Sequence, residues 1–239
     1  MAAINVIRQR QAVHILSDGA FCDPTGIVCE IGPNAFALPH LPAALAIRGS
    51  THFMPFLVHR LSRECRSFDD MLGKIVPVAL EVHMSFPMAF GTLGYGSIEP
   101  DFDIVAVGWS KSRGVPASYL VCSHDRAVAQ GLTATAWQLV ELPDVLIAPP
   151  IAEKQISAVG WEVPYSPESF RPDVDGVSLL KVQRLSRRQL DVSSGMRGQV
   201  YVVGGFIQLT SVSAHGVSSD VLHWWPDEVG RRIEPQPER

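Results

Sequence analysis

The sequence predicts an α+β fold: two antiparallel sheets packed face to face with helices outside, a four-layer αββα sandwich. Three observations predict it. The apolar patterning runs in the order strands, two helices, strands, a helix, strands. The two adjacent helices are both amphipathic, so each has a stripe to bury and a face for water. The strands come in pairs joined by turn residues, and two sheets of this kind bury each other's inner faces.

Taken in order, residues 4–8 and 12–16 read as short strands joined through Arg8-Gln9-Arg10-Gln11, the second entering the Asp-Gly turn Ser17-Asp18-Gly19-Ala20. Residues 27–31 form a strand punctuated by Gly32-Pro33-Asn34. The apolar run 40–47 fits a strand buried on both faces, ending at Arg48-Gly49-Ser50. Phe53, Leu57, Leu61 and Cys65 then recur every four residues, a helical stripe widened by Met54 and Val58. Ser67 with Asp70 three residues later resembles a capping box. Phe68, Met71, Leu72, Ile75, Val76, Ala79, Leu80 and His83 continue at helical spacing, and Pro77 inside this run is expected to kink or break the helix.

Gly91-Thr92-Leu93-Gly94-Tyr95-Gly96 lacks the Lys-Ser/Thr ending of a phosphate loop and reads as a turn. Residues 103–109 and 117–122 form a hairpin, and 133–140 is a further strand carrying Trp137. The proline-rich stretch 143–172 reads as loop with one short helix near 151–159. A third helix spans 177–190, with Leu179, Val182, Leu185 and Ser186 inward and Lys181, Arg184, Arg187 and Arg188 outward. Residues 199–203 and 206–212, separated by Gly204-Gly205, make a final strand pair. Trp224-Trp225 closes a domain of residues 1–225. Residues 226–239 hold three prolines and seven charges and are expected to form a mobile tail unless a partner holds them.

Composition narrows the function classes. With 46% hydrophobic and 18% charged residues the chain is a folded globule. A formal net charge of −4 argues against nucleic acid as the main partner, since phosphate binding needs clustered Lys and Arg. No apolar run reaches the roughly 18 residues needed to span a membrane. No charged-then-apolar leader precedes the first strand, so the expected location is the cytoplasm, or the interior of a virion or other assembly. Cys22, Cys29, Cys65 and Cys122 match no zinc or redox spacing. His52 and His59 lack a third ligand at metal spacing, so neither metal nor cofactor is expected.

Five segments together resemble the proteasome β-subunit and HslV family of N-terminal-nucleophile hydrolases. They are Ala12-Val13-His14-Ile15-Leu16-Ser17-Asp18-Gly19, Leu45-Ala46-Ile47-Arg48-Gly49-Ser50, the hairpin around residues 104–121, the helix around 179–188, and Gly204-Gly205-Phe206-Ile207-Gln208-Leu209 with Gly216. The similarity spreads over residues 4–222 in short, degenerate motifs. It implies the αββα sandwich. It also implies a chemistry in which an N-terminal Thr attacks a carbonyl with its own amine as base, an Asp-positioned Lys lowers local pKa values, and a glycine N–H supplies the oxyanion hole.

Carried over residue by residue, Asp18 matches the Asp and Gly49 the oxyanion glycine. Ala2 stands at the nucleophile's place, and Ala35, or its neighbour Asn34 or Phe36, at the lysine's. The nearest downstream lysine is Lys74. The family's later Asp and Ser become Val200 and Val203, and its Ser-Gly turn becomes Ala148-Pro149-Pro150. The resulting expectation is a catalytically inactive, proteasome-subunit-like protein. It would be a structural or assembly subunit of a larger complex, a ring or a virion or tail structure, by self-association or with other protein subunits. The alternative is an active threonine-peptidase-like or amide hydrolase with an unplaced nucleophile; cleavage exposing Ser17, Cys22 or Ser50 would remove the first strands that the fold needs.

Overall fold

The computed structural model describes residues 3–23, 25–49, 53–91, 102–127, 132–152, 155, 166–189 and 198–235. The chain is α+β with antiparallel sheets. Its elements run β1 (Ile4–Arg8), β2 (Ala12–Asp18), β3 (Ala20–Cys22), β4 (Val28–Ile31), β5 (Ala35–Leu38) and β6 (Ala43–Gly49). Two helices follow, α1 (Met54–Glu64) and α2 (Phe68–Gly91). Next come β7 (Phe102–Ser110), β8 (Val115–Cys122), β9 (Arg126–Ala127), β10 (Thr133–Ala134), β11 (Val140–Glu141) and β12 (Val145–Ala148). The last group is α3 (Asp175–Arg184), β13 (Arg188–Gln189), β14 (Gln199–Val200), β15 (Phe206–Ser213) and β16 (Gly216–Trp224).

Two five-stranded sheets carry the molecule. The first has the order β12-β1-β2-β15-β16 and the second β11-β8-β7-β6-β5. Strand alternation divides their side chains among three apolar clusters. Ile4, Val6, Val13 and Ile15 of the first sheet join Ala44, Ala46, Val105, Val107 and Leu120 of the second in one cluster. The other face of the second sheet gives Leu45, Ile47, Ile104 and Val121 to a cluster with Leu57, Leu61, Met71 and Ile75 of α1 and α2. The other face of the first gives Ile7, Leu16 and Ile207 to a cluster with Leu179 and Leu180 of α3.

Close approach fixes two of these contacts. Gly108 of β7 lies under Phe68, where an added Cβ would meet the ring at 2.1 Å. Gly108→Ala is therefore expected to cost about 1–3 kcal/mol by overpacking. The reading is a lower urea midpoint at unchanged slope; an unchanged midpoint would mean the Phe68 ring has room to move. Gly176 of α3 similarly approaches Leu16, which an added Cβ would meet at 2.4 Å.

Several expectations need correction. Helix α2 runs through Pro77 without a break. Pro77 and Gly73, whose carbonyl loses its usual donor, both lie on the exposed face, where water can supply the missing hydrogen bond. The strand expected over 133–140 is interrupted because Trp137 adopts a φ of +60°, so only its two ends pair. Residues 199–203 do not pair with 206–212. Gly205, at φ +73°, turns the chain, so β14 pairs with β13 while β15 lies between β2 and β16.

Helix α3 starts earlier and ends sooner than expected, and its inward face is Gly176, Leu179, Leu180, Gln183 and Arg184, while Leu185 is 59% exposed. The segment after Trp225 is not a free tail as far as residue 235. Ile233 packs with Ala20 and Val28, Ile27 bridges to Arg232, and Asp227 pairs with Arg184. Of the short helix expected near 151–159 only residues 151, 152 and 155 are described, and of the turn expected over 91–96 only Gly91, which ends α2; the rest lie outside the described residues.

Candidate functional site

One end of the space between the two sheets is polar. In the second sheet Ala44 and Ala46 of β6 point toward the first sheet, and the same alternation points Arg48 there. In β7, Val107 and Val105 are followed toward the same end by Asp103, and in β8, Leu120 is followed by Cys122. Register places Arg48 opposite Asp103 and Asp103 opposite Cys122, so a charged rung ends an apolar stack. The facing rung of the first sheet is Ile4, Ser17 and Gln208, again in direct register. Gln208 ties the sheets together by donating from Nε2 to the Ala35 carbonyl at 3.0 Å.

The charged rung is tightly held. Asp103, with only 5% of its side chain exposed, accepts at Oδ2 from Arg48 Nε (3.0 Å), Arg48 Nη2 (2.6 Å) and Arg126 Nη1 (2.5 Å). Arg126 also reaches His124, whose ring meets Ser123 Oγ. Burial and the Asp103 carboxylate push the Cys122 thiol up to about 12, so it carries no thiolate at neutral pH.

Asp18 is fully buried at the same end but points to the α3 side of its sheet. Its Oδ1 accepts the Ala3 N–H at 2.7 Å and its Oδ2 the Gly204 N–H at 2.9 Å. Burial pushes its pKa up to about 7, against the pull of those two N–H groups. Asn34 donates from Nδ2 to the Asp18 carbonyl at 2.6 Å, while its own carbonyl accepts from Ile47 N at 3.1 Å. Gly49 has φ +104°, a backbone conformation that favours glycine.

The structure thus brings Asp18, Ala35 and Gly49 to one end of the sheets; Ala2 lies outside the described residues. Ala35 is an apolar core residue opposite Ala46, and Asn34, not Ala35, reaches Asp18. Lys74 is elsewhere, on α2, bonded to Glu64 and Asp70. Val200 and Val203 are buried among apolar neighbours. Sequence reasoning missed the functional potential of Arg48 and Asp103. The available signal was a charge at the inward-pointing position of an otherwise apolar strand end.

Among the described residues, groups able to perform nucleophilic chemistry are poorly supplied. Ser17 is fully buried and its Oγ has no hydrogen-bond partner among the described residues. Burial pushes the Cys22 thiol up to about 12, and Ser50 lies outside the described residues. Among the described residues the nearest approach to a nucleophile–base pair is Ser211 Oγ, 2.8 Å from His14 Nδ1, with His14 Nε2 meeting Gln9 Oε1 at 3.0 Å. Burial lowers His14 to about 4, which makes it a weak base at neutral pH. Among the described residues no three His, Cys, Asp or Glu side chains converge as metal ligands, and no helix is long and apolar enough to cross a membrane.

No protein-family model matches the chain, and no curated protein matches it in sequence. The site's own geometry therefore carries the functional argument.

Proposed function

We propose that this chain is a non-catalytic protein with the αββα sandwich of the proteasome β-subunit and HslV family, working as a subunit of a larger assembly. The observation that carries this reading is Asp18. Both of its carboxylate oxygens hold backbone N–H groups, and Asn34, one of the positions where the family resemblance would put a lysine, donates to the Asp18 backbone carbonyl and not to its carboxylate. Asp18 and Gly49 persist in this reading because the fold needs a buried clamp and a positive-φ turn. The three apolar clusters, one shared by both sheets and one against each helical side, support the layered architecture.

Surface for partner subunits lies at the end of α3. Trp224 is 63% exposed and Leu185 59%, beside a groove of about 870 Å³ that is also lined by Lys181, His223, Arg231 and Glu234. Trp225 contributes less than its neighbour, because it is half-buried with the Arg184 guanidinium 4.6 Å from its ring centre.

Native mass spectrometry at rising concentration, joined to intact-mass measurement after N-terminal-Thr-directed and serine-directed covalent probes, tests the proposal. The expected result is an oligomer and no adduct. A persistent monomer counts against the assembly role. A threonine-type adduct, or a serine adduct abolished by Ser211→Ala, would establish the hydrolase instead.

A further inference from the structure

We propose that the outer edge of β16 is a docking strand for a second copy of this chain, paired antiparallel about a two-fold axis at Ser219. The inference rests on the assembly reading above and names the surface that would carry it. Of the four strands that end the two large sheets, β12 and β5 have four residues each and β11 has two. Strand β16 has nine, Gly216–Trp224, and among the described residues no strand pairs with its outer side. Ser218, Ser219, Asp220 and Val221 are exposed, so the middle of that edge is open to solvent. Its outward N–H and C=O groups are a template for another strand. The usual protections of such an edge are sparse: β16 holds no proline and no lysine, and Asp220 is its one carboxylate. Its register shift falls beyond Val221, which leaves 216–221 a regular ladder.

The residue pattern of that regular stretch selects a second copy as the occupant. Successive residues turn their backbone groups to opposite edges, so a two-fold pairing must centre on a residue that faces its own copy. Centring on Asp220 sets two like charges opposite each other, which is destabilising. Centring on Val221 runs the ladder into the register shift, and centring on Ser218 leaves Val221 opposite His215 of the turn. Centring on Ser219 pairs the stretch 217–221 with itself. Val217 then faces Val221 and Ser218 faces Asp220, each twice by symmetry. Val217, Ser219 and Val221 share one face of β16, opposite Val212, Thr210 and Gln208 of β15. Val217 already packs against the cluster between the sheets, and Val221 is 46% exposed. Each Val221 would cover the other copy's Val217, an apolar cross-strand pair on each side of the axis. The two five-stranded sheets would join into one.

The test joins disulfide trapping, native mass spectrometry and amide hydrogen exchange on the full chain. Ser219→Cys is made with Cys29→Ala, which removes an exposed native thiol. The two copies of residue 219 would have Cα atoms about 4.5–5.5 Å apart, within disulfide reach, so mild oxidation should give a covalent dimer. Asp220→Cys in the same background should not, because its two copies are offset by roughly 7 Å along the strands. Exchange at residues 217–221 should slow as protein concentration rises. Val221→Lys, at an exposed position, should fold normally and weaken the dimer about tenfold or more, since it sets a charge against Val217. An oligomer unchanged by Val221→Lys, with no slowing at 217–221, would overturn the edge and leave the assembly role standing. Slowing that needs a different protein would give the edge to that partner and overturn self-pairing. A monomer at every concentration would overturn both readings.

Discussion

Asp227→Ala is expected to destabilise the protein by about 3–5 kcal/mol, the range for removing one partner of a buried ion pair. The Arg184 and Asp227 side chains are only 7% and 6% exposed. Their contact is bidentate, with Arg184 Nη1 2.8 Å from Oδ2 and Nη2 2.8 Å from Oδ1. Oδ2 also accepts the Gly205 N–H at 2.7 Å, and Arg184 Nη1 donates to the Val203 carbonyl at 2.9 Å. Truncating the carboxylate therefore leaves a buried guanidinium without its counter-charge and a backbone N–H without its acceptor. The Gly204-Gly205 turn and the segment that carries Ile233 into its small cluster lose their common anchor together. Urea unfolding measures the loss. The double change Arg184→Met with Asp227→Leu should recover most of it, since burying apolar groups of similar volume avoids desolvating charge. A loss below about 1 kcal/mol for Asp227→Ala alone would place the pair at a solvated surface.

Much of this architecture was legible in the sequence, and what escaped reading has physical reasons. Periodicity located β1, β2, β7, β8 and the two long helices because each has a regular apolar face. It failed on α3 because that face is completed by Gln183 and Arg184, polar residues with buried partners in Asn5 and Asp227. Those partners are 178 and 43 residues away in the chain, beyond any window of local pattern. The C-terminal segment misled for the same reason: its charge and proline content describe a solvated tail, and one long-range ion pair reverses that. Asp18 and Gly49 were found as turn residues, yet the acceptor role of Asp18 toward Ala3 and Gly204 belongs to the assembled sheet. Arg48 and Asp103 were hidden inside strand motifs whose ends happen to face inward.

Asp18 and His14 are expected to give opposite pH dependences that nearly cancel in the wild-type protein. Asp18 rises from 3.8 unfolded to about 7 folded, so its contribution to stability is greatest at low pH and is lost as pH rises toward 7. His14 falls from 6.5 unfolded to about 4 folded, so its contribution is complete above 6.5 and is lost as pH falls toward 4. Between those limits folding takes up one proton at Asp18 and releases one at His14, which leaves little net slope from the pair. Asp18→Asn should uncover a stability that rises with pH across this window, by at most about 1.4 kcal/mol per unit. His14→Gln should uncover one that falls. Asp18→Asn should also lower stability by about 1–3 kcal/mol at every pH, because its NH₂ faces the Ala3 or Gly204 N–H and leaves that donor unpaired. Urea midpoints of the three proteins at pH values spanning the window measure both effects. Parallel profiles for wild type and Asp18→Asn would mean that Asp18 is ionised throughout, its two N–H donors outweighing burial, and the carboxylate clamp would then be a fixed charge of the fold.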